Sequence, residues 1–458
     1  MTRDVSFKEV QLPELSVLED EPVLPRNVYE QRWARLRERM EQTGLGTVVV
    51  YADREHPAGS LYLTGFDPRF EEAVVVVGLD GPVAVIAGNE SLSMVADRGL
   101  DLKGVLCQSL SLPGQKRQTQ RRLSDALAEA GVDASRPVGL VGWRSIPQDD
   151  VQGSEPAFAV PHFVLQELRH VAASGVVDAS DLLGSSDGLR ATNDVHQLAL
   201  NEHRSTRASG HVWRAIEALR PGISELELSV HMGLTGLPLA AHVMLATGAD
   251  RVNGLYSPSG RVIGRGDRLS TAVGLQGGLA SRAGIVAEIG DEELSEEQRE
   301  FVRGYWLAVA TWYESLAIGA STGDIAEKVT KVLAMSNIEP LLNPGHLQHV
   351  DEWLDSPFAV GNDHRIHSGM SLQADIIPVG SDPGMFANVE DALAIADEAL
   401  RAEFAELYPA AWERAQQRRA WMEQALGIHL AEEVLPFCDR PAALPPGLLS
   451  PTFVAALT

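Results

Sequence analysis

Residues 220–225 read Arg220-Pro221-Gly222-Ile223-Ser224-Glu225. They follow an amphipathic run, and proline with no amide donor beside glycine with no Cβ is a combination that stops a helix. The spacing therefore predicts a long helix over 194–219 and a second over 223–234. Working outward, short apolar segments predict strands at 242–247, 269–273 and 284–287. Ser295-Glu296-Glu297-Gln298 has capping-box spacing and opens a helix running to about residue 318, and another starts near 322. Strand patterns at 370–377 and 392–395 precede a charged, Trp-bearing helix over 398–426 and a tail from 430 rich in Pro and Leu. Two helices, a strand group, two more helices and further strands describe an α+β domain.

The first half reads differently. Residues 1–27 are acidic and punctuated by Pro13, Pro22 and Pro25, which suggests an extended arm. Tyr29, Trp33, Leu36 and Met40 then recur at helical spacing up to Gly44, and the strand-like GTVVVYA follows. Two Val-rich runs at 73–79 and 82–87 are parted by Asp80-Gly81, a strong hairpin signal. Helices alternating with short Val-rich strands indicate an α/β domain over 28–185, where VVDASDLLGSSDG concentrates turn residues, and leave 186–458 to the second domain and its tail.

The 458 residues carry 38 Lys and Arg against 63 Asp and Glu, a net charge of −25, so no basic face is available for nucleic acid or anionic membrane. Cys107 and Cys438 stand far apart with no CxxC or Cys/His cluster, which excludes a disulfide framework and a thiolate zinc site and fits a reducing cytoplasm. The N-terminal residues lack an apolar signal segment, and the most apolar run, 73–88, is broken by Asp80, Gly81 and Pro82; neither signal peptide nor membrane span is expected.

The second half resembles the creatinase/aminopeptidase P/prolidase group of M24 peptidases, whose catalytic domain has the pita-bread fold. The landmarks are 220–225, Gly260-Arg261 leading to Gly266-Asp267, Gly274, the helix from Ser295, Gly345-His346, Gly369-Met370 and Glu390-Asp391. Tyr62-Leu63-Thr64-Gly65-Phe66 is similar to a segment of that group's N-terminal α/β domain. The expected architecture is thus a creatinase-like α/β domain followed by an α+β pita-bread domain.

Peptidases of the group hold two divalent metals with two Asp, one His and two Glu, because paired cations share and acidify one water. Here G-D-x-V-x-x-D-x-G runs Gly266-Asp267-Arg268-Leu269-Ser270-Thr271-Ala272-Val273-Gly274, so Ala272 replaces the first Asp. The second falls on Ala283 by ungapped spacing, or on Arg282 if Gly278-Leu279 matches the group's Gly-Tyr. His346 is kept, the second His of its stretch becomes Trp353, the first Glu becomes the shorter Asp375, and Glu390 matches the last. The resemblance therefore implies no dinuclear centre and no cofactor, with a single metal on His346, Asp375 and Glu390 as the minority alternative. The metal-free creatinase base aligns with Leu255, which leaves His346 with Glu390 and Asp375 as catalytic candidates.

Arg282 and His349 are the candidates for binding a carboxylate-bearing substrate, with a buried ion cluster of Arg282, Asp375 and Glu390 that is only scaffold as the lesser alternative. In creatinase-like dimers a loop of the N-terminal domain reaches the partner's site, and Arg69 is the candidate there. The leading expectation is a homodimeric cytoplasmic enzyme that hydrolyses a C–N bond of a small polar molecule without metal. Two alternatives stand beside it: a peptidase with an altered single-metal site, and a non-catalytic pita-bread binding module of the kind seen in histone chaperones.

Overall fold

The computed structural model describes residues 4–96, 99–248, 254–290, 292–380 and 384–458. By contact the chain forms two compact units, one of Leu24–Ala191 and one of Met1–Val23 together with Thr192–Thr458.

The Leu24–Ala191 unit is built on a six-stranded mixed sheet in the order Lys103–Leu106, Ala84–Ala87, Ala73–Gly78, Thr47–Ala52, Val138–Val141, Val176–Asp178. Strand residues point alternately to either face, and both faces are covered. Val48 and Val50 pack with Trp33, Leu36 and Met40 of the Arg26–Thr43 helix and with Tyr62 and Leu63 of the Ala58–Thr64 helix. Val49 and Tyr51 pack with Leu123, Leu127, Val164 and Leu168 of the helices Leu123–Ala130 and His162–Val171. The hairpin read at Asp80-Gly81 is present, with Gly81 at φ +81°.

The second unit repeats one frame twice. In the first copy the helix Val195–Ala218 ends at Leu219 and Ser224 caps the helix Glu225–His231; in the second, Glu296–Ser315 ends at Leu316 and Ser321 caps Thr322–Met335. The backbone bonds between copies correspond. Gly222 N–H donates to Ile263 O as Gly319 N–H does to Ile366 O, and Gly266 N–H donates to Val286 O as Gly369 N–H does to Ile395 O. The strands that follow join in one antiparallel sheet, ordered His346–Leu347, Ser371–Gln373, Asn388–Ile395, Gly278–Ile285, Arg268–Leu275, Met244–Thr247, with Val434–Pro436 also on Asn388–Ile395.

Several sequence expectations change. The strand expected at 284–287 is the end of Gly278–Ile285, which forms a tight hairpin with Arg268–Leu275 around Gln276-Gly277. A Cβ at Gly278 would lie 2.5 Å from the Ser205 amide, so that glycine lets the hairpin press on the long helix. The helix expected over 398–426 breaks at Pro409 into Glu398–Leu407 and Pro409–Trp421, then closes in a π turn over Met422–Leu426. The residues expected to form a tail are core: Phe437, Cys438 and Leu444 are fully buried. Within the expected arm, Val5–Glu9 pairs with Phe453–Leu457, Ser16 donates to Asp439, and Glu19 and Glu21 pair with Arg414 and Arg204. Those partners lie 183 or more residues away, so local composition carries no trace of them.

Glu225 ties the first copy together. Its carboxylate accepts from the N–H and hydroxyl of Thr247 and from the N–H and hydroxyl of Ser259, at 2.6–2.9 Å. Burial pushes this carboxyl up, but the Ser259 and Thr247 donors outweigh it and hold the group below its ordinary 4.5. A carboxyl depressed in the folded state adds stability above its unfolded value and loses it as pH falls through the lower folded value. Glu225→Gln should therefore cost about 1–3 kcal/mol near neutrality, and the gap in melting temperature between wild type and variant should narrow as pH falls below 4.5; a gap independent of pH would contradict this account.

Candidate active site

Strand pairing decides which side chains meet. His346 pairs with Gln373, Gln373 with Ala392, Ser281 with Glu390, and Ser281 again with Ala272. Directly paired residues share a face, so His346, Gln373, Glu390, Ser281 and Ala272 lie on one side of the sheet. Asp375, two residues beyond Gln373, reaches the same group: its Oδ2 is 3.9 Å from His346 Nε2, and Glu390 Oε1 is 4.0 Å away. The sequence candidates His346, Asp375 and Glu390 are brought together.

A fourth member, Glu352, was not among those candidates. Its Oε1 lies nearest of all to His346 Nε2, at 3.5 Å. The signal was its place beside Trp353 in the stretch where the group carries its second His, but a glutamate in a loop reads from sequence as solvated. Trp353 itself stacks on the His346 ring with centroids 4.2 Å apart and planes tilted 23°. The backbone that aims His346 is tightly held. Gly345 sits at φ +97° with its N–H donating to Asp375 O, and a Cβ there would meet the Trp312 ring at 2.9 Å.

His346 is wholly buried, and burial lowers its pKa to about 4, so the ring is neutral. Its Nδ1 lies 3.2 Å from Leu347 O, an atom that can only accept, so Nδ1 carries the proton and Nε2 presents a lone pair toward the carboxylates. Nε2 and Asp375 Oδ1 make no hydrogen bond. Burial pushes Asp375 up to about 7. Burial, then the charges of Asp375 and Asp351, push Glu352 up to about 8, and burial with the Asp375 and Glu352 charges carries Glu390 well above the usual carboxylate range. Among the described residues no Lys or Arg pairs with Glu352, Asp375 or Glu390.

Arg282 is therefore corrected. It is paired with Val389, one residue out of phase with Glu390, and points to the opposite face. There its Nη2 donates to both oxygens of Asp391 at 3.0 Å and to Arg440 O, its Nε donates to Ala443 O, and its guanidinium lies 5.3 Å from the Trp213 ring centroid. It neither binds substrate at the cluster nor neutralises Asp375 and Glu390. The buried pair at Arg282 has Asp391 as its acid in place of the expected Asp375 and Glu390, and the site, expected to be cationic enough for a carboxylate, is lined by acids.

The remaining candidates lie apart. His349 is buried three residues beyond His346, its N–H donating to Asp351 O, and it does not belong to the set of His346, Glu352 and Glu390 whose ligand atoms lie within 4.8 Å of one another. Arg69 belongs to the Leu24–Ala191 unit, 3.5 Å from Asp67, on a cavity of about 340 Å³ lined also by Tyr51, Asp53 and Glu72.

The doubled frame tests whether two metals fit. Asp375 stands six residues after Gly369, as Ala272 does after Gly266, and Glu390 stands five before Ile395, as Ser281 does before Val286. Ala272 and Ser281 are thus the first copy's counterparts of Asp375 and Glu390, which moves the second missing Asp from the expected Ala283 or Arg282 to Ser281. Neither alanine nor serine supplies a carboxylate, so a dinuclear centre does not fit this chain. One divalent ion does fit, because an orphaned imidazole nitrogen and three carboxylates converge with no protein cation among them. That geometry goes against the expectation of no cofactor.

If Arg282 holds the sheet rather than a substrate, Arg282→Met should destabilise the protein by about 3–5 kcal/mol by leaving Asp391 buried and unpaired. Denaturant unfolding would measure this, and a variant of native stability with altered substrate affinity would restore the binding role.

No protein-family profile and no curated protein matches this sequence. Solved structures do match. A prolidase from Pyrococcus horikoshii is 16% identical with a TM-score of 0.61 over 80% of this chain and 95% of its own. Dipeptidase PepE from Mycobacterium ulcerans is 16% identical at 0.59 over 92% and 98%, and a variant of Escherichia coli aminopeptidase P is 14% identical at 0.59 over 85% and 99%. Among the described residues no helix is long and apolar enough to cross a membrane. At these identities the likeness is one of architecture, and on it the chain has the pita-bread fold of the prolidases and aminopeptidase P, preceded by their α/β unit.

Proposed function

We propose that the protein is a hydrolase of an amide-type C–N bond in a small polar substrate, acting at His346, Glu352, Asp375 and Glu390. The observation that carries this reading is the convergence of a neutral, oriented imidazole with three carboxylates on one sheet face. The fold it shares with enzymes named prolidase, dipeptidase and aminopeptidase P supports the bond class.

A divalent cation bound at the cluster would polarise the scissile carbonyl and lower the pKa of a water. The other steps belong to the protein's own groups. Trp353 and Leu347 O hold the imidazole in one orientation, so Nε2 faces the reacting centre. Asp375, shorter by one methylene than the group's Glu, has Oδ1 without a hydrogen-bond partner and stands outside the set formed by His346, Glu352 and Glu390, which suits it to carry a proton. It takes the proton of the attacking water, the water oxygen bonds to the carbonyl carbon, and the proton passes to the leaving nitrogen as the C–N bond breaks.

A metal-free, creatinase-like course is the second reading. It is favoured by the upward shifts of Asp375 to about 7 and Glu352 to about 8, which leave protons on the cluster near neutrality. Turnover that survives exhaustive chelation would select it. A homodimer in which Arg69 completes the partner's site, and a cytoplasmic setting in keeping with the free, buried Cys107 and Cys438, belong to the same proposal.

Asp375→Asn should lower kcat by about 10²–10⁴ with a small change in KM, and His346→Ala should abolish turnover with the fold retained by thermal melting. The panel is Xaa-Pro dipeptides and small guanidino acids. An Asp375→Asn enzyme of full kcat would remove that role, and absence of turnover across the panel would favour the non-catalytic binding module.

A further inference from the structure

The cluster contains an arrangement that its own groups cannot satisfy. His346 is entirely buried, its Nδ1 proton is committed to Leu347 O, and its Nε2 lone pair faces carboxylate oxygens of Glu352, Asp375 and Glu390 at 3.5, 3.9 and 4.0 Å. These separations are too long for hydrogen bonds. A lone pair turned toward three carboxyl groups, none near enough to donate to it, has no partner among the cluster's own groups. Atoms that share an ion at about 2.0–2.2 Å lie about 3–4 Å from one another, and Nε2 stands 3.5 Å from Glu352 and 4.0 Å from Glu390. The doubled frame says where that ion can sit. The first copy has lost both carboxylates, at Ala272 and Ser281, so the Arg268–Leu275 and Gly278–Ile285 strands offer no anionic ligand on this face. Glu352 adds one, out of the segment that follows His346.

We propose that this protein holds a single divalent cation between His346 Nε2, Glu352 and Glu390, with Glu352 as a ligand supplied by the 346–353 segment in place of those lost from the strand hairpin. The three ligand atoms lie within 4.8 Å of one another, and Asp375 stands outside that set. One imidazole with two carboxylates suits zinc or manganese, leaving positions for water and substrate. Glu352 retains 29% of its side-chain exposure, the most of the three ligands. Trp353 covers the His346 ring and fixes Nε2 toward the ion. The inference deepens the hydrolase reading by naming the ion's number and place, and rests on the same cluster.

The test counts ions and does not depend on turnover. Protein freed of metal by dialysis against a chelator is titrated with ZnCl2 and with MnCl2 by calorimetry, and the bound metal is measured by elemental analysis. The expected result is one ion per chain and a higher melting temperature on loading. Glu352→Gln should weaken binding by at least about tenfold and abolish the thermal gain. Because it removes one of three facing carboxylates, the metal-free variant should melt no lower than the metal-free parent. Asp351→Asn, the neighbouring acid outside the cluster, should bind within about twofold of the parent. Two ions per chain, no ion, a Glu352→Gln protein that binds normally, or an Asp351→Asn protein weakened to the same degree would each overturn the proposal. Turnover without a bound ion would reject the ion site and leave the hydrolase reading standing, whereas one bound ion without turnover would do the reverse.

Discussion

The buried pair of Arg282 and Asp391 fixes the centre of the second unit. Neither charge meets water, and each is satisfied by several partners: Arg282 by Asp391 and by the carbonyls of Ala443, Arg440 and Ser281, Asp391 also by the Ala442 N–H. A pair of this kind is costly to break because the survivor is left uncompensated in a low-dielectric interior. It joins the two central strands to the chain's C-terminal segment. It also fixes their phase, since adjacent residues point to opposite faces. With Asp391 turned toward Arg282, Glu390 must face the other way, into the cluster.

The cluster inherits its asymmetry from the doubled frame. Both copies share helix caps, glycine turns and cross-strand bonds, yet only the second keeps acids at Asp375 and Glu390, while the first carries Ala272 and Ser281. The scaffold survives that loss because its stability resides in the opposite face and in the helices. Glu225, Gly278 and Arg282 support it without contributing to the chemistry. Charge at the site is therefore free to change while the fold stays, and Glu352 joins the cluster from the loop that follows His346.

Much of the fold was legible because its signals are local. Pro-Gly after an amphipathic run, the capping box at Ser295 and Asp80-Gly81 between Val-rich runs each act over a few residues, and each has its counterpart in the structure. His346, Asp375 and Glu390 were legible as site candidates through motif order and do converge. Arg282 was misjudged because an arginine near a metal-ligand position looks like a replacement cation, and only the pairing register reveals that it points away. Glu352 was missed for the complementary reason, since a loop acid has no periodicity to mark it. The burial of 434–448 and the pairing of Val5–Glu9 with Phe453–Leu457 depend on contacts across nearly the whole chain.

By itself the sequence determined most helix starts, the hairpin at Asp80-Gly81 and the alanine at 272 where the group it resembles carries an Asp, because these follow from neighbours a few residues apart. Tertiary structure decided the sign of the site. Whether a charged side chain on a strand faces the cluster or the opposite core depends on cross-strand phase, and a one-residue step sends Arg282 to one side and Glu390 to the other. That phase is set by pairing between distant segments, and it took the expected cation, Arg282, out of the cluster and left acids around His346.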